Sequence, residues 1–409
     1  MKPKRNYHLL LWSQFLSAFG DNAILQVILG PLMKQLTAGR ITAHEQSLDN
    51  IYFTSLLFVP YVLLAPLAGY LNDRFANNRW LLGGNLIKLA GTALTLYGVT
   101  AGTGWQGFGY FVVGIGACMY SPAKYGILPE ILPAERLVKA NGMVELLTLV
   151  AILIGTVAGA SMSDYWQPFT CYAMVASIYG ASALLNCFMS KTPAYPDIRL
   201  AGSVVEFFKN CRDLLRNRRL ARVLLGTSTF WICGAMVKMN SQPWGQQVLK
   251  LETMLQISLL GLWLSLGLMA GSVLAGQLYG VGDLRATRRY GWLLAVAVAV
   301  LGGTAWFTGL GLTHPQWVAV PALVFTGLVG GLFLIPLNAA LQAESHQAKL
   351  GKTIATQNGF ENLAMLAGSV YALINVNMGF DPSQLFLCLA VFVGVVVIWL
   401  KIPITNKHE

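Results

Sequence analysis

Apolar residues in this chain come in long runs, not in strand-like alternation or single amphipathic stripes. Runs of about 20 residues, each long enough to cross roughly 30 Å of hydrocarbon, recur from Tyr7 almost to the last residues, separated by short segments rich in Gly, Pro and charge. Such a pattern predicts helices surrounded by lipid. Twelve are expected, near 7–36, 49–71, 79–101, 105–129, 136–163, 166–190, 220–249, 254–281, 287–311, 316–343, 351–377 and 383–402. The longest polar stretch, 191–219, separates 1–190 from 220–409. These are two prospective six-helix halves joined by a linker.

Composition agrees with the pattern. Of 409 residues 55% are hydrophobic and 11% charged, with mean hydropathy +0.57, whereas soluble domains carry about 25% charge. The opening MKPKR and the run after it have the outline of a signal peptide. The run is too long for one, is interrupted by Asp21-Asn22 and lacks a small-residue cleavage site, so an uncleaved first span is expected. The six cysteines form no CxxC pair, and the five histidines fall near span ends. Neither set suggests a metal site, and no cofactor is expected.

Charge gives the orientation. Most of the 28 lysines and arginines fall in loops on one side, among them Arg74, Arg79, Arg136, Lys139 and the linker cluster Lys209 to Arg222. Lys34, Arg40 and Lys250 fall on the other. By the positive-inside rule both termini and the linker are expected in the cytoplasm. The net charge of +11 then reflects topology and contact with anionic lipid, not nucleic-acid binding. Linker positions Val204, Phe207, Phe208, Cys211, Leu214 and Leu215 recur at near-helical spacing between basic residues. That segment reads either as an amphipathic helix on the cytoplasmic leaflet or as an ordinary basic linker.

The halves repeat. GIGACMYSPAKYGILPE aligns with LVGGLFLIPLNAALQAE at a shift of 214 residues (330 less 116), placing Gly116 on Gly330, Pro122 on Pro336 and Glu130 on Glu344. KANG at 139–142 aligns with TQNG at 356–359. Six plus six spans in parallel repeat is the major facilitator arrangement. The fold expected is therefore all-α and integral to the membrane, a major facilitator fold of twelve transmembrane helices in two pseudo-symmetric halves. GYLNDRFANNR, after the second span, is similar to the signature of that superfamily. There Gly69 would permit close helix approach, Asp73 would meet a helix N-terminus, and Arg74 and Arg79 would latch one face. With Glu130 and Glu344 these make the expected gating set.

Six ionisable residues lie inside spans: Asp21, Lys88, Lys124, Glu145, Lys238 and Glu361. Asp21 sits about 14 residues into its helix, roughly 21 Å along the axis, where an ionised carboxylate costs about 2.5–3.5 kcal/mol on insertion scales. In a major facilitator fold Asp21, Lys124 and Lys238 would fall on cavity-lining helices, with Glu145 and Glu361 beside them. Asn22, Asn338 and Asn358 add hydrogen-bonding capacity, and with these five charged residues make the expected substrate-binding set. Glu145 and Glu361 read equally as helix-packing groups, and Lys124 as part of the gate. Lys88 falls on an outer helix, where snorkelling or local pairing is expected. No Walker A loop, HExxH or GxSxG occurs, so a nucleotide-driven pump and the commoner membrane hydrolases are disfavoured.

SQFLSAFGDNA, CMYSPAKYGILPE, LVKANGMVE, GTSTFW, IPLNAALQ and TQNGFENLAML together resemble the bacterial lysophospholipid transporter family of the major facilitator superfamily, from the first span to the eleventh. The resemblance implies a flippase of Gram-negative inner membranes. Its cargo would be lysophosphatidylethanolamine and lysophosphatidylglycerol, moved from the outer to the inner leaflet. A cytoplasmic acyltransferase paired with an acyl-carrier-protein synthetase would be the partner that restores the second chain. A cationic residue at Lys124 or Lys238 would then take the phosphate and Asp21 the ammonium. In two places the sequence departs from the family. Lys238 stands where Arg is usual, losing the bidentate fork, and NSQPWGQQ is unusually polar, with Pro243 expected to break the helix. The alternative is a carrier of another amphiphile or metabolite, siderophore-like, with proton coupling through Asp21 or Glu145.

Overall fold

The computed structural model describes residues 3–194, 197, 199–280, 283–309, 316–344 and 350–401, without the side chains of some residues inside helices. Among them the only regular elements are helices. Backbone groups in hydrocarbon must be satisfied within their own segment, which a helix achieves and an open strand does not.

The first six expected spans correspond to α1 (Pro3–Thr37), then α2 (Ala43–Leu56), α3 (Phe58–Leu63) and α4 (Ala65–Arg74) together, then α5 (Asn77–Ala101), α6 (Thr103–Gly126), α8 (Ala134–Tyr165) and α9 (Pro168–Cys187), with a one-turn α7 (Leu128–Ile131) after α6. The linker forms α10 (Leu200–Arg216). The remaining spans are α11 (Arg218–Gln247), α12 (Met254–Leu278), α13 (Thr287–Gly309), α14 (Gln316–Glu344), α15 (Leu350–Asn377) and α16 (Pro382–Trp399). Among the described residues eight helices are long and apolar enough to cross a membrane, or nine with one bent pair counted as a span. Of the expected spans, α5, α6 and α15 are not among these; they carry much of the polar and glycine content that the sites below use.

Two expectations about helix continuity are corrected. The second span is not one rod: its pieces bend by 57° at Leu64. Pro60 and Pro66 each lack an N–H, and Pro66 begins α4 at a position where that donor is not needed. Conversely, Pro243 does not break its helix, since α11 continues to Gln247. Neighbours hold both sides of the proline. Asn240 donates to the Pro382 carbonyl at 2.7 Å, and the Trp244 indole donates to Thr304 at 3.1 Å while packing edge-on against Phe386. Gln46 donates to Gln246 at 2.6 Å, and Gln246 in turn donates to Thr37 at 3.1 Å. The polarity of NSQPWGQQ is thus largely consumed by packing.

The chain forms two compact units, Met1–Lys34 with Phe53–Phe207 and Gln35–Tyr52 with Phe208–Glu409. In the first unit, α5 and α6 meet along glycines seven residues apart. A methyl group on Gly91 would lie 2.6 Å from the Val113 nitrogen, and one on Gly116 2.5 Å from the Gly84 carbonyl oxygen. In the second, Gly267 and Gly271 of α12 face Gly327 and Gly331 of α14, and added methyls would overlap the facing backbone. Small residues draw membrane helices together because lipid supplies no hydrophobic drive for their association. Polar side chains in the resulting seams must then find partners.

Candidate functional site

In the first unit those partners converge on one carboxylate. Ser13, Ser17 and Asp21 are four residues apart and share one face of α1. Asp21 accepts from the Lys88 ammonium of α5 at 2.6 Å and from the Tyr179 hydroxyl of α9 at 2.8 Å. Lys88 also donates to Ser17 at 2.8 Å and lies 5.1 Å from the Tyr120 ring centroid and 5.6 Å from that of Tyr179. Toward the start of α1 the network continues. Ser17 donates to Asn85 at 2.7 Å, Asn85 to Ser182 at 2.8 Å, and Ser182 to the Ser13 carbonyl at 2.7 Å. Four helices, α1, α5, α6 and α9, are pinned by this ladder.

The pair is asymmetrically placed. The Lys88 side chain is 1% exposed and that of Asp21 19%. Lys88 therefore sits behind Asp21, while the carboxylate reaches open space. An adjoining cavity of about 50 Å³ is lined by Gln14, Ser17, Asp21, Tyr61, Lys88, Tyr120, Ser121 and Lys124, among others. This suffices for a few waters. Lys124 of α6 borders it with its ammonium 4.7 Å from the Tyr125 ring. One anionic and two cationic residues thus line a single cavity, Lys88 from behind Asp21. Gly20 makes the arrangement possible, because a methyl group there would lie 2.7 Å from the Tyr179 ring.

Lys88 is the functional candidate that sequence reasoning missed. The expectation of snorkelling or local pairing is corrected, since its partners lie on α1 and α9. A signal was present: the six intramembrane ionisable residues sum to zero, and Asp21 had no cation within a turn of its own helix. Asn22, by contrast, donates to the Ala18 carbonyl of its own helix at 2.9 Å.

In the second unit a different cluster forms. Glu361 of α15, 6% exposed, accepts from Gln357 at 2.7 Å, and Gln357 also donates to Asn338 of α14 at 2.8 Å. Thr227 and Trp231 of α11 hydrogen-bond Glu361 as well. At the repeat shift of 214, Thr227 corresponds to Ser13, Trp231 to Ser17 and Asn338 to Lys124. Both units therefore build polar clusters from corresponding helix faces, one around an ion pair and one around a carboxylate held by neutral donors. The Asn358 carbonyl accepts from Asn362 at 2.8 Å, and Lys238 is half-buried on α11. The Glu145 side chain lies outside the described residues, as do those of Asp73 and Glu344.

Of the expected gating residues, Arg74 donates to Tyr70 at 2.6 Å and lies over the Tyr70 and Phe75 rings, while Arg79 is exposed. Glu130 accepts from Asn77 at 2.9 Å, tying α7 to the start of α5. A methyl on Gly69 would meet nothing within 4 Å among the described residues. Between α12 and α13, Asp283 accepts two hydrogen bonds from the Arg285 guanidinium, at 3.0 and 2.9 Å. Those bonds hold its carboxyl below the ordinary carboxylate range.

Helices as the only regular elements among the described residues, several of them long and apolar enough to cross a membrane, with polar clusters at corresponding places in two units, are the build of a membrane carrier. The sequence profile of the Major Facilitator Superfamily matches residues 10–369. A solved transporter of the POT family, in complex with a thioalcohol-conjugated peptide, has the same fold at 13% identity, with TM-score 0.75, covering 97% of this chain and 95% of that one. Closer in sequence are proteins named lysophospholipid transporter LplT. That of Serratia proteamaculans is 34% identical over 361 residues, 87% of this chain and 85% of that protein. That of Photorhabdus laumondii is 34% identical over 367 residues, 88% and 86% of the two. The chain belongs to the Major Facilitator Superfamily and, within it, to the family of lysophospholipid transporters LplT.

Proposed function

We propose that this protein is a lysophospholipid flippase. It takes lysophosphatidylethanolamine and lysophosphatidylglycerol from the outer leaflet of a bacterial inner membrane and delivers them to the inner leaflet by alternating access. The observation that carries the reading is a cavity lined by Asp21, with Lys88 paired behind it, and by Lys124, in a chain whose relatives are named for this cargo. A lysolipid headgroup bears a phosphate and, in the ethanolamine form, an ammonium. Lys124 receives the phosphate and Asp21 the ammonium as charge-assisted hydrogen bonds, stronger in a low-dielectric setting than in water. Lys88 is a positioning residue that holds the Asp21 carboxylate in place from α5.

Asn22 and Glu145 complete the binding set in the first unit, and Lys238, Asn338, Asn358 and Glu361 serve in the second. Gly69, Asp73, Arg74, Arg79, Glu130 and Glu344 gate the cytoplasmic side, where both termini lie. On that side an acyltransferase working with an acyl-carrier-protein synthetase consumes the delivered lipid.

The test is transport by purified protein in proteoliposomes. Labelled lysophosphatidylethanolamine is added outside and its inward movement followed, with diacyl phosphatidylethanolamine as control and with and without a proton gradient. Protein-dependent movement of the lysolipid alone is expected. Movement of neither lipid by correctly inserted protein sinks the cargo assignment and leaves the fold intact.

A further inference from the structure

The linker helix α10 carries a surface that carrier chemistry does not use. Its residues fall into three lengthwise stripes at helical spacing. Phe207, Cys211 and Leu214 face the protein, with Leu214 buried and the other two partly so. Val205, Phe208 and Leu215 form a second row, 67%, 60% and 52% exposed. Arg212 stands in that row, with Lys209 and Arg216 along its edge, all three exposed. Glu206 and Asp213, seven residues apart, occupy the remaining side. Apolar and cationic side chains therefore share one exposed sector, and the helix's two acidic residues lie outside it.

A helix that only joins two units gains nothing by holding three large apolar side chains in water among its cations. At a lipid surface the same sector is favourable, because the apolar chains enter the boundary between headgroups and acyl chains while Lys and Arg meet anionic headgroups. The position of the helix fits. The row from Val205 to Leu215 is about 15 Å long and ends just before Asn217, which caps α11 through bonds from the Arg219 and Leu220 amides. The apolar span of α11 begins within a turn of that cap, so α10 ends at the level of the headgroups.

We propose that α10 docks on an anionic phospholipid surface, inserting Val205, Phe208 and Leu215 and engaging lipid phosphates through Lys209, Arg212 and Arg216. This is independent of the cargo and of the site around Asp21.

Amide hydrogen exchange on the full chain tests it, in nanodiscs of phosphatidylcholine alone and of phosphatidylcholine mixed with phosphatidylglycerol. Amides of 204–216 are expected to exchange about tenfold more slowly in the mixed lipid. The K209Q/R212Q/R216Q variant is expected to lose that difference, and F208S/L215S to lose protection in both lipids, with the amides of α11 unchanged in each as the control for folding. Equal wild-type exchange in the two lipids, which a protein-docking face would also give, overturns the proposal. So does retention of the phosphatidylglycerol effect by the triple variant.

Discussion

Lys88 reaches Asp21 from another helix and closes to 2.6 Å, with its own side chain 1% exposed and its partner's 19%. The cation is structural in position and the anion faces the opening, so the two halves of one ion pair have different work. A charge removed from the buried side leaves the other uncompensated. Replacing both with neutral groups does not.

That asymmetry predicts a double-mutant result. K88M alone should destabilise the protein by about 3–5 kcal/mol, because it removes one partner of a largely buried ion pair and leaves the other uncompensated. D21N/K88M should recover most of that loss. Thermal unfolding followed by size-exclusion in detergent reads both, and a double variant no more stable than K88M would contradict the assignment.

Gly20 and Tyr179 should behave as one unit. In G20A the new methyl lies 2.7 Å from the Tyr179 ring, displacing the hydroxyl that binds Asp21. A loss of about 1–3 kcal/mol is expected, together with slower transport. Y179F keeps the ring and removes only the hydrogen bond to a charged group, about 1.5–3 kcal/mol. Combining the two should cost less than the sum of the single losses. Strict additivity in the melting data would mean the contact does not matter.

Lys124 should be separable from stability. It borders the cavity and is not itself a member of the ladder that pins α1, α5, α6 and α9, so K124Q should melt near the wild-type temperature and lose transport of both headgroups by about tenfold or more. K124R should retain most activity. The comparison is a transport rate set against a melting curve, and collapse of the fold in K124Q would place Lys124 in the scaffold.

Two glycines should give opposite results. G91A forces α5 off α6 at a backbone contact of 2.6 Å and should cost about 1–3 kcal/mol. At Gly69, where a methyl meets nothing within 4 Å, Ala should be neutral or should stabilise α4 by up to about 1 kcal/mol. A damaged G69A would mean that Gly69 is a close-approach glycine, as the motif suggests.

How much of this was legible in the sequence follows from the range of the forces involved. Apolar runs and the repeat are local or periodic, and they marked the helices and superfamily directly. Asp21 stood out because a carboxylate deep in an apolar run is costly wherever its partner lies. The partner itself was not legible, since which helix brings Lys88 to Asp21 depends on tertiary packing. Pro243 was misjudged for the same reason: contacts from Pro382, Thr304 and Phe386 keep α11 continuous through it, whereas the span holding Pro60 and Pro66 bends. Gly69 and Gly91 look alike as letters, and only the neighbouring helix separates a crowded glycine from an open one.

The central claim is that the carboxylate of Asp21 receives a lysolipid headgroup. Its most direct test is the inward flip of labelled lysophosphatidylethanolamine by wild-type protein and by D21N/K88M, reconstituted in equal amounts. The double variant keeps the buried site neutral and so remains folded. The account predicts rapid flipping by the wild type and loss of flipping by the folded variant. Flipping at the wild-type rate by D21N/K88M would contradict it.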